Sequence, residues 1–377
     1  MQYTEFGKTG VKVSRLGFGC MRLPQYEKNG VLAWDEEESI KMLHHAIDLG
    51  INYFDTAPHY CDSQSEIITG KALKGRREQV YLSTKNDVKT TSGDDFMRIF
   101  EKSIKKLDTD YIDFYHFWGI SLDVFHQTIL PNGPMDRAVK LLEQGLIRHI
   151  SFSFHDSPGN MSKIIKEGEG RFETVLCQYN ILDRTLEPDI SFAKSQGLGV
   201  VIMGPVGGGR LAAPTPAIQA LLPGKVHSSA ELALRYVLTN PNVDVALSGM
   251  SSIKMLDENA AVANNLAKLT SGELVQINEM VRENARLADL YCTGCNYCLP
   301  CPQGINIPEV FRLMNYHRIY QITGYAREQY DLIGKVEWMD YKNASACIDC
   351  GACEQKCPQK IKIREQLKQT HDTLAAG

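Results

Sequence analysis

The chain has 377 residues, 43% of them hydrophobic and 23% charged, with a formal net charge of −4 at pH 7. So mild an acidic balance gives no general electrostatic reason to expect nucleic acid or an anionic membrane as partner. The N-terminus, MQYTEFGKTGVKV, holds no apolar run of signal-peptide length and no stretch approaches a membrane span, so a cytoplasmic location is expected.

Apolar, β-branched and aromatic runs recur along the first part of the chain. In order they are LGFGC (16–20), NYFDTA (52–57), VYLST (80–84), YIDFYHFW (111–118), RHISFSF (148–154), TVLCQYN (174–180), GVVIMGP (199–205) and VDVALSG (243–249). Between them lie helical patterns such as EESIKMLHHAIDLG, FMRIFEKSIKKL, MDRAVKLLEQG and SAELALRYVLTN. Several end at Gly, which suits a helix C-terminus. Eight such units in about 260 residues fit an α/β fold of the (β/α)8 TIM-barrel type. An open doubly wound sheet would favour GxGxxG after the first strand, and GFGCMR does not supply it.

In such a barrel the chemistry gathers where the strands' C-terminal ends meet. Asp55 closes the second run, Tyr60 follows on its loop and Lys85 closes the third. Any one of these could be structural, since a buried Asp–Lys pair can satisfy itself inside a barrel. Together they have a chemical logic. A phenol is a poor acid at neutral pH, a neighbouring ammonium stabilises the phenolate, and a carboxylate holds that ammonium charged and in place. The trio is expected to act as a proton donor. On the fourth run, alternation puts His116 and Trp118 on one face, His116 two residues deeper.

LGINYFDTAPHY, YLSTK and DYIDFYHFW, in that order, resemble the aldo/keto reductase family over about residues 1–265. The resemblance implies a barrel that binds a nicotinamide cofactor, NADP or NAD, and reduces small carbonyl substrates. By this match Tyr60 is the general acid, Lys85 tunes it and Asp55 orients Lys85. The family's fourth catalytic residue, a histidine, falls at Trp118 here. An indole can donate one hydrogen bond but cannot shuttle a proton. His116 is expected to be a core histidine bonded to a neighbour.

The loop GPVGGGRL (204–211) follows the seventh run, where glycines such as Gly204 let backbone N–H groups approach an anion and Arg210 adds charge. In SGMSSIKMLDEN (248–259), Ser251 and Ser252 can cap a helix and face a phosphate. The resemblance puts Gly249, Ser251, Ser252 and Asn259 around the adenosine end. At the nicotinamide end it matches Ser153, while Gln178 lies two residues beyond the family's amide-binding position, which Leu176 occupies.

Eight of the eleven cysteines fall between residues 292 and 357, which suggests a boundary near residue 285: a barrel over 1–284 and a small domain over 285–377. CIDCGACEQKCP (347–358) fits the bacterial ferredoxin pattern C-x2-C-x2-C-x3-C-P, and CTGCNYCLPCP (292–302) departs from it by one residue. Structural zinc sites are the alternative. Similarity to two-cluster ferredoxins implies that Cys292, Cys295 and Cys298 share one [4Fe–4S] cluster with Cys357. Cys347, Cys350 and Cys353 would share the second with Cys301. The intervening PEVFRLMNYHRIYQITGYAREQYDLI reads as helical, so the small domain is expected to be a mainly helical ferredoxin-like module. Fused tails of this kind occur in a branch of the aldo/keto reductases.

Three functions are compatible with these residues. The first is hydride transfer between NAD(P)H and a carbonyl/alcohol pair, with clusters of structural or electron-transfer role. The second keeps the nucleotide but returns the hydride, enabling elimination or epimerisation. In the third, the barrel is inactive and the chain is an electron-transfer module with a protein partner.

Overall fold

The computed structural model describes residues 1–28, 31–88, 92–207, 226, 228–287, 292, 298–357 and 361–375. The chain divides into two compact units, Met1–Gly209 with Ala230–Leu269, and Arg210–Ser229 with Thr270–Gly377.

The first unit is a closed barrel of eight parallel strands. They are β1 (Leu16–Gly19), β2 (Tyr53–Asp55), β3 (Tyr81–Asp87), β4 (Ile112–Ile120), β5 (Ile147–Phe154), β6 (Thr174–Gln178), β7 (Gly199–Met203) and β8 (Val245–Ser248). Each matches one expected run, in order, with β8 pairing to β1 to close the ring. Two boundaries differ in a way that matters. The third strand continues to Asp87, so Lys85 lies two residues inside its end, and the fourth continues to Ile120 past an irregularity after Phe117.

Two hairpins lie outside the expected strands, Tyr3–Glu5 with Lys12–Ser14 and Gln25–Lys28 with Val31–Trp34. The first plugs the barrel. Phe6 and Val13 join Tyr53, Phe114, Leu176, Val201, Val245 and Leu247 in one buried cluster. Phe6 meets Phe114 edge-on, with ring centroids 5.0 Å apart. Gly199 is required there, because a Cβ on it would lie 2.5 Å from the Phe6 ring. Filling the interior with apolar side chains makes the barrel a packed core, which confines solvent and chemistry to the opposite, C-terminal face.

β4 shows the alternation clearly. Phe114 faces the interior cluster, while Tyr115 and Phe117 pack outward against Phe96 on the helix Gly93–Leu107. His116 and Trp118 therefore share the inward face with Phe114.

The second unit is mainly helical, as expected. Helices Ser271–Leu287, Ile307–Arg318, Thr323–Leu332 and Ile363–Leu374 account for most of its described residues. Asn306 caps the second of these, its side chain accepting from the Glu309 N–H. Among the described residues, no helix is long and apolar enough to cross a membrane.

Candidate active site and cluster-binding cysteines

At the C-terminal face of the barrel, a cavity of about 230 Å3 is lined by Asp55, Tyr60, Lys85 and Trp118, and by Ser153, Gln178, Gly204 and Gly249. Asp55 and Lys85 are buried, at 2% and 1% exposure. The Lys85 ammonium donates to Asp55 Oδ2 at 2.6 Å and to the Thr56 carbonyl at 2.8 Å. Ser83 donates to the other carboxylate oxygen at 2.7 Å. A buried ion pair is tolerable only when its donors and acceptors are largely met, and these bonds engage both carboxylate oxygens and two of the three ammonium protons.

Tyr60 comes from the loop after β2. The next three residues, Cys61, Asp62 and Ser63, all have left-handed φ of 54°, 51° and 67°. Each such non-glycine residue costs roughly 1–2 kcal/mol. Side-chain bonds hold the loop in place: Trp34 Nε1 donates to Asp62 at 2.8 Å, and the Ser65 hydroxyl donates to the Cys20 carbonyl at 2.7 Å. Lys85 Nζ sits 4.7 Å from the Tyr60 ring centroid.

The electrostatics differ from the sequence expectation. Burial pushes the Tyr60 phenol above its ordinary value, and the attraction of Lys85 opposes burial without overcoming it. Lys85 itself is held above the usual lysine value: burial pulls it down, but Asp55 and then Tyr60 more than compensate. Tyr60 is thus held protonated at neutral pH, not as a phenol close to ionising.

Trp118 occupies the cavity wall, edge-on to Tyr60 with centroids 5.7 Å apart, and His59 stacks on it at 5.6 Å. His116 lies beneath, fully buried, in register with Lys85. The expected bond to a neighbour is present only weakly: neither ring nitrogen makes a hydrogen bond of regular geometry, but the Phe152 backbone interacts with the ring. Burial first, and the Lys85 charge second, hold its pKa well below the normal imidazole range, so it is neutral.

Of the residues expected at the nucleotide, Ser153, Gln178, Gly204 and Gly249 line this cavity. Ser153 accepts from the Gly119 N–H at 2.7 Å. Gly204 has φ of 63°, and a Cβ there would sit 2.6 Å from Gln178 Oε1, so the glycine makes the room that Gln178 fills. Ser252 caps the helix Ile253–Asn264, its hydroxyl accepting from the Met255 N–H at 3.3 Å. Ser251 is exposed and Asn259 donates to Ser248 at 3.2 Å, so these three stand around the β8 loop but outside the cavity lining. Arg210 lies outside the described residues.

Sequence reasoning passed over Arg22 and His155, which also line the cavity. Both follow a strand's C-terminal end by one to three residues, the signal that could have marked them. His155 packs beside the Trp118–Gly119 link, where a Cβ on Gly119 would lie 3.6 Å from its Cδ2.

In the second unit, Cys301, Cys347, Cys350 and Cys353 line one small cavity of about 20 Å3, although Cys301 is distant from the others in sequence. All four are unbridged, and the grouping is the one the two-cluster pattern implies, although among the described residues no three cysteine, histidine or carboxylate side chains are placed to hold a single metal ion. Cys357 is buried, and Cys292 and Cys298 are half-buried. Cys295 lies outside the described residues, as do 293–297 generally.

Comparison with known proteins agrees with both halves. Residues 15–282 match the aldo/keto reductase family model, and residues 291–361 match a 4Fe-4S dicluster domain. An L-galactose dehydrogenase of Arabidopsis thaliana is 29% identical over 288 residues, covering 70% of this chain and 88% of that protein. The uncharacterized oxidoreductase YqkF of Bacillus subtilis is 27% identical over 319 residues, covering 75% of this chain and 98% of that one. Among solved structures, the aldo-keto reductase AKR11C1 from Bacillus halodurans in its holo form superimposes with a TM-score of 0.64 at 30% identity, covering 74% of this chain and 96% of its own. The chain belongs to the aldo/keto reductase family and carries a C-terminal 4Fe-4S dicluster domain.

Proposed function

We propose that this chain is an NAD(P)-dependent oxidoreductase acting on a small carbonyl/alcohol pair. The observation that carries it is the convergence of Asp55, Tyr60 and Lys85 on one cavity, with the Lys85–Asp55 contact at 2.6 Å. A bound nicotinamide would supply or accept hydride. Tyr60 gives its proton to the substrate oxygen as negative charge develops there, and Lys85 steadies the phenolate left behind. Asp55 keeps Lys85 charged and aimed. His155, at the rim beside Trp118, offers the imidazole that the family's usual position lacks. Trp118 adds a flat wall and one donor.

The fit to a nicotinamide rests on Gln178, which lies against Gly204 at the cavity wall and presents an amide there. Ser153 and Gly249 complete that wall, and Ser251, Ser252, Asn259 and Arg210 would serve the adenosine end. The same reading divides the chain into a barrel over 1–284 and a cluster domain over 285–377. In the latter, Cys301 with Cys347, Cys350 and Cys353 would hold one [4Fe–4S] cluster. Cys292, Cys295 and Cys298 with Cys357 would hold the other. Such clusters supply one-electron transfer when bound, which fits exchange with a separate redox protein.

Trp118 in the cavity also favours a second reading, in which a hydroxyl is oxidised transiently and the hydride returned. Product formation without net consumption of NAD(P)H would distinguish it. The primary test is NADH and NADPH oxidation by anaerobically purified protein with a carbonyl panel. Tyr60→Phe is expected to lower kcat by roughly 10^2 to 10^4 while nucleotide binding persists. An unchanged rate in that variant would remove the proposal.

A further inference from the structure

We propose that Arg364 sets the redox poise of the cluster held by Cys301, Cys347, Cys350 and Cys353, and that Glu354 is the residue that positions it. This rests on the cluster reading given above.

The guanidinium is fixed over the ligand loop at several points. Nη2 donates to Glu354 Oε2 at 3.0 Å, and Nη1 reaches the Asp349 carbonyl at 3.4 Å. A Cβ on Gly351 would lie 3.8 Å from Arg364 Cζ, so the guanidinium also packs against the glycine between Cys350 and Cys353. The backbone N–H of Arg364 donates to Glu354 Oε1 at 3.0 Å, so one carboxylate grips both the main chain and the side chain. The helix Ile363–Leu374 begins one residue earlier, which makes this a rigid mount.

The placement decides which charge matters. Among the described residues lining the cysteine cavity, Arg364 is the one charged side chain beside the thiols. A separate groove of about 570 Å3 is lined by Arg364 and Cys347 together with Glu354, Asp349, Lys362 and Lys368. Arg364 and Cys347 belong to both spaces and form the partition between them. Glu354 lines only the groove. Arg364 thus lines the cysteine cavity directly, while Glu354, next to Cys353 in sequence, grips it from the groove side.

Reduction of the cluster adds one electron and no proton, so negative charge in the cavity rises. A fixed cation at its wall stabilises the reduced form and raises the potential, a lever that charge and hydrogen bonding exert on such clusters generally. The Arg364 side chain is 43% exposed, so solvent and salt reduce the effect without abolishing it.

The test is an anaerobic potentiometric titration of the intact holoprotein, with dithionite as reductant and electron paramagnetic resonance as readout. Iron and sulfide are assayed in parallel. Arg364→Gln is expected to lower the reduced-to-oxidised ratio of one cluster by roughly three- to tenfold at a fixed applied potential, tenfold being about 59 mV for one electron. Arg364→Lys should shift it less. In a Glu354→Gln background, where the guanidinium has lost its carboxylate mount, Arg364→Gln should shift the same cluster less than it does in the wild-type background, with iron content unchanged throughout. Equal midpoints in wild type and Arg364→Gln at full iron content would overturn the proposal. So would equal shifts of both clusters, or loss of iron in Arg364→Lys. A wild-type protein with no iron–sulfur signal would instead refute the cluster reading beneath it.

Discussion

The indole of Trp118 stands edge-on to the phenol ring of Tyr60, with 89° between the ring planes. The proposed proton donor is thus walled by a group that can give a hydrogen bond but cannot take a proton. An imidazole is present at the same rim, on His155. His155→Ala is expected to lower kcat/KM for carbonyl reduction by roughly tenfold, about 1.4 kcal/mol. In a Trp118→His background the same change should cost much less, because the new imidazole takes over. A double-mutant cycle checks this, and additive effects would contradict it.

Lys85 opposes the upward shift that burial imposes on Tyr60. Removing its charge in Lys85→Met should raise the phenol's pKa further. A raised pKa keeps the acid protonated over a wider range, so the alkaline fall in reduction rate moves to higher pH. The plateau rate drops, since a weaker acid transfers its proton less readily. Initial rates from neutral to strongly alkaline pH measure both effects. An alkaline limb that moves downward in the variant would refute the assigned role.

His116 is neutral because it is buried and faces Lys85, with a folded-state pKa well below the ordinary 6.5. The unfolded chain therefore binds a proton that the folded chain does not, in the window from 6.5 downward. Stability must fall as the pH is lowered through that window, with the slope of one proton. His116→Leu should flatten this part of the curve and cost little near pH 8, since it also removes two buried nitrogens that make no hydrogen bond of regular geometry. Thermal melts between pH 8 and 5 supply the comparison. Parallel curves for the two proteins would show that His116 does not titrate as described.

Gly204→Ala would drive a methyl group to 2.6 Å from Gln178 Oε1 at a φ of 63°. The expected result is a roughly tenfold rise in nucleotide KM, about 1.4 kcal/mol. Gly170→Ala is the control: its φ of 78° imposes similar backbone strain, but nothing lies within 4 Å of the added Cβ. If both variants bind nucleotide equally well, Gln178 is not placed by Gly204 for that purpose.

Much of this was legible in the sequence because the barrel's strands are buried on both faces, so each reads as a short apolar run between helical periods. Asp55, Tyr60 and Lys85 could be picked out for the same reason, as polar residues at or near strand ends. The plug hairpin was not, since YTE and KVS are short and polar and gain their meaning from Phe6 and Val13 packing under the barrel. Nor could the sequence set the sign of the Tyr60 shift, which depends on how deeply the loop of left-handed residues seats the phenol. The placement of Cys301 beside the second cysteine run needed the ferredoxin pattern, because spacing alone would group it with the first.

The most direct measurement is single-turnover transfer from nicotinamide deuterated at C4, using anaerobic protein and a carbonyl substrate drawn from the panel. Deuterium should appear on the carbinol carbon of the product, at a rate that falls at least a hundredfold in Tyr60→Phe, within the range for loss of a general acid. Product lacking deuterium, or the same transfer rate with and without the Tyr60 hydroxyl, would contradict proton donation from Tyr60 to a carbonyl receiving hydride.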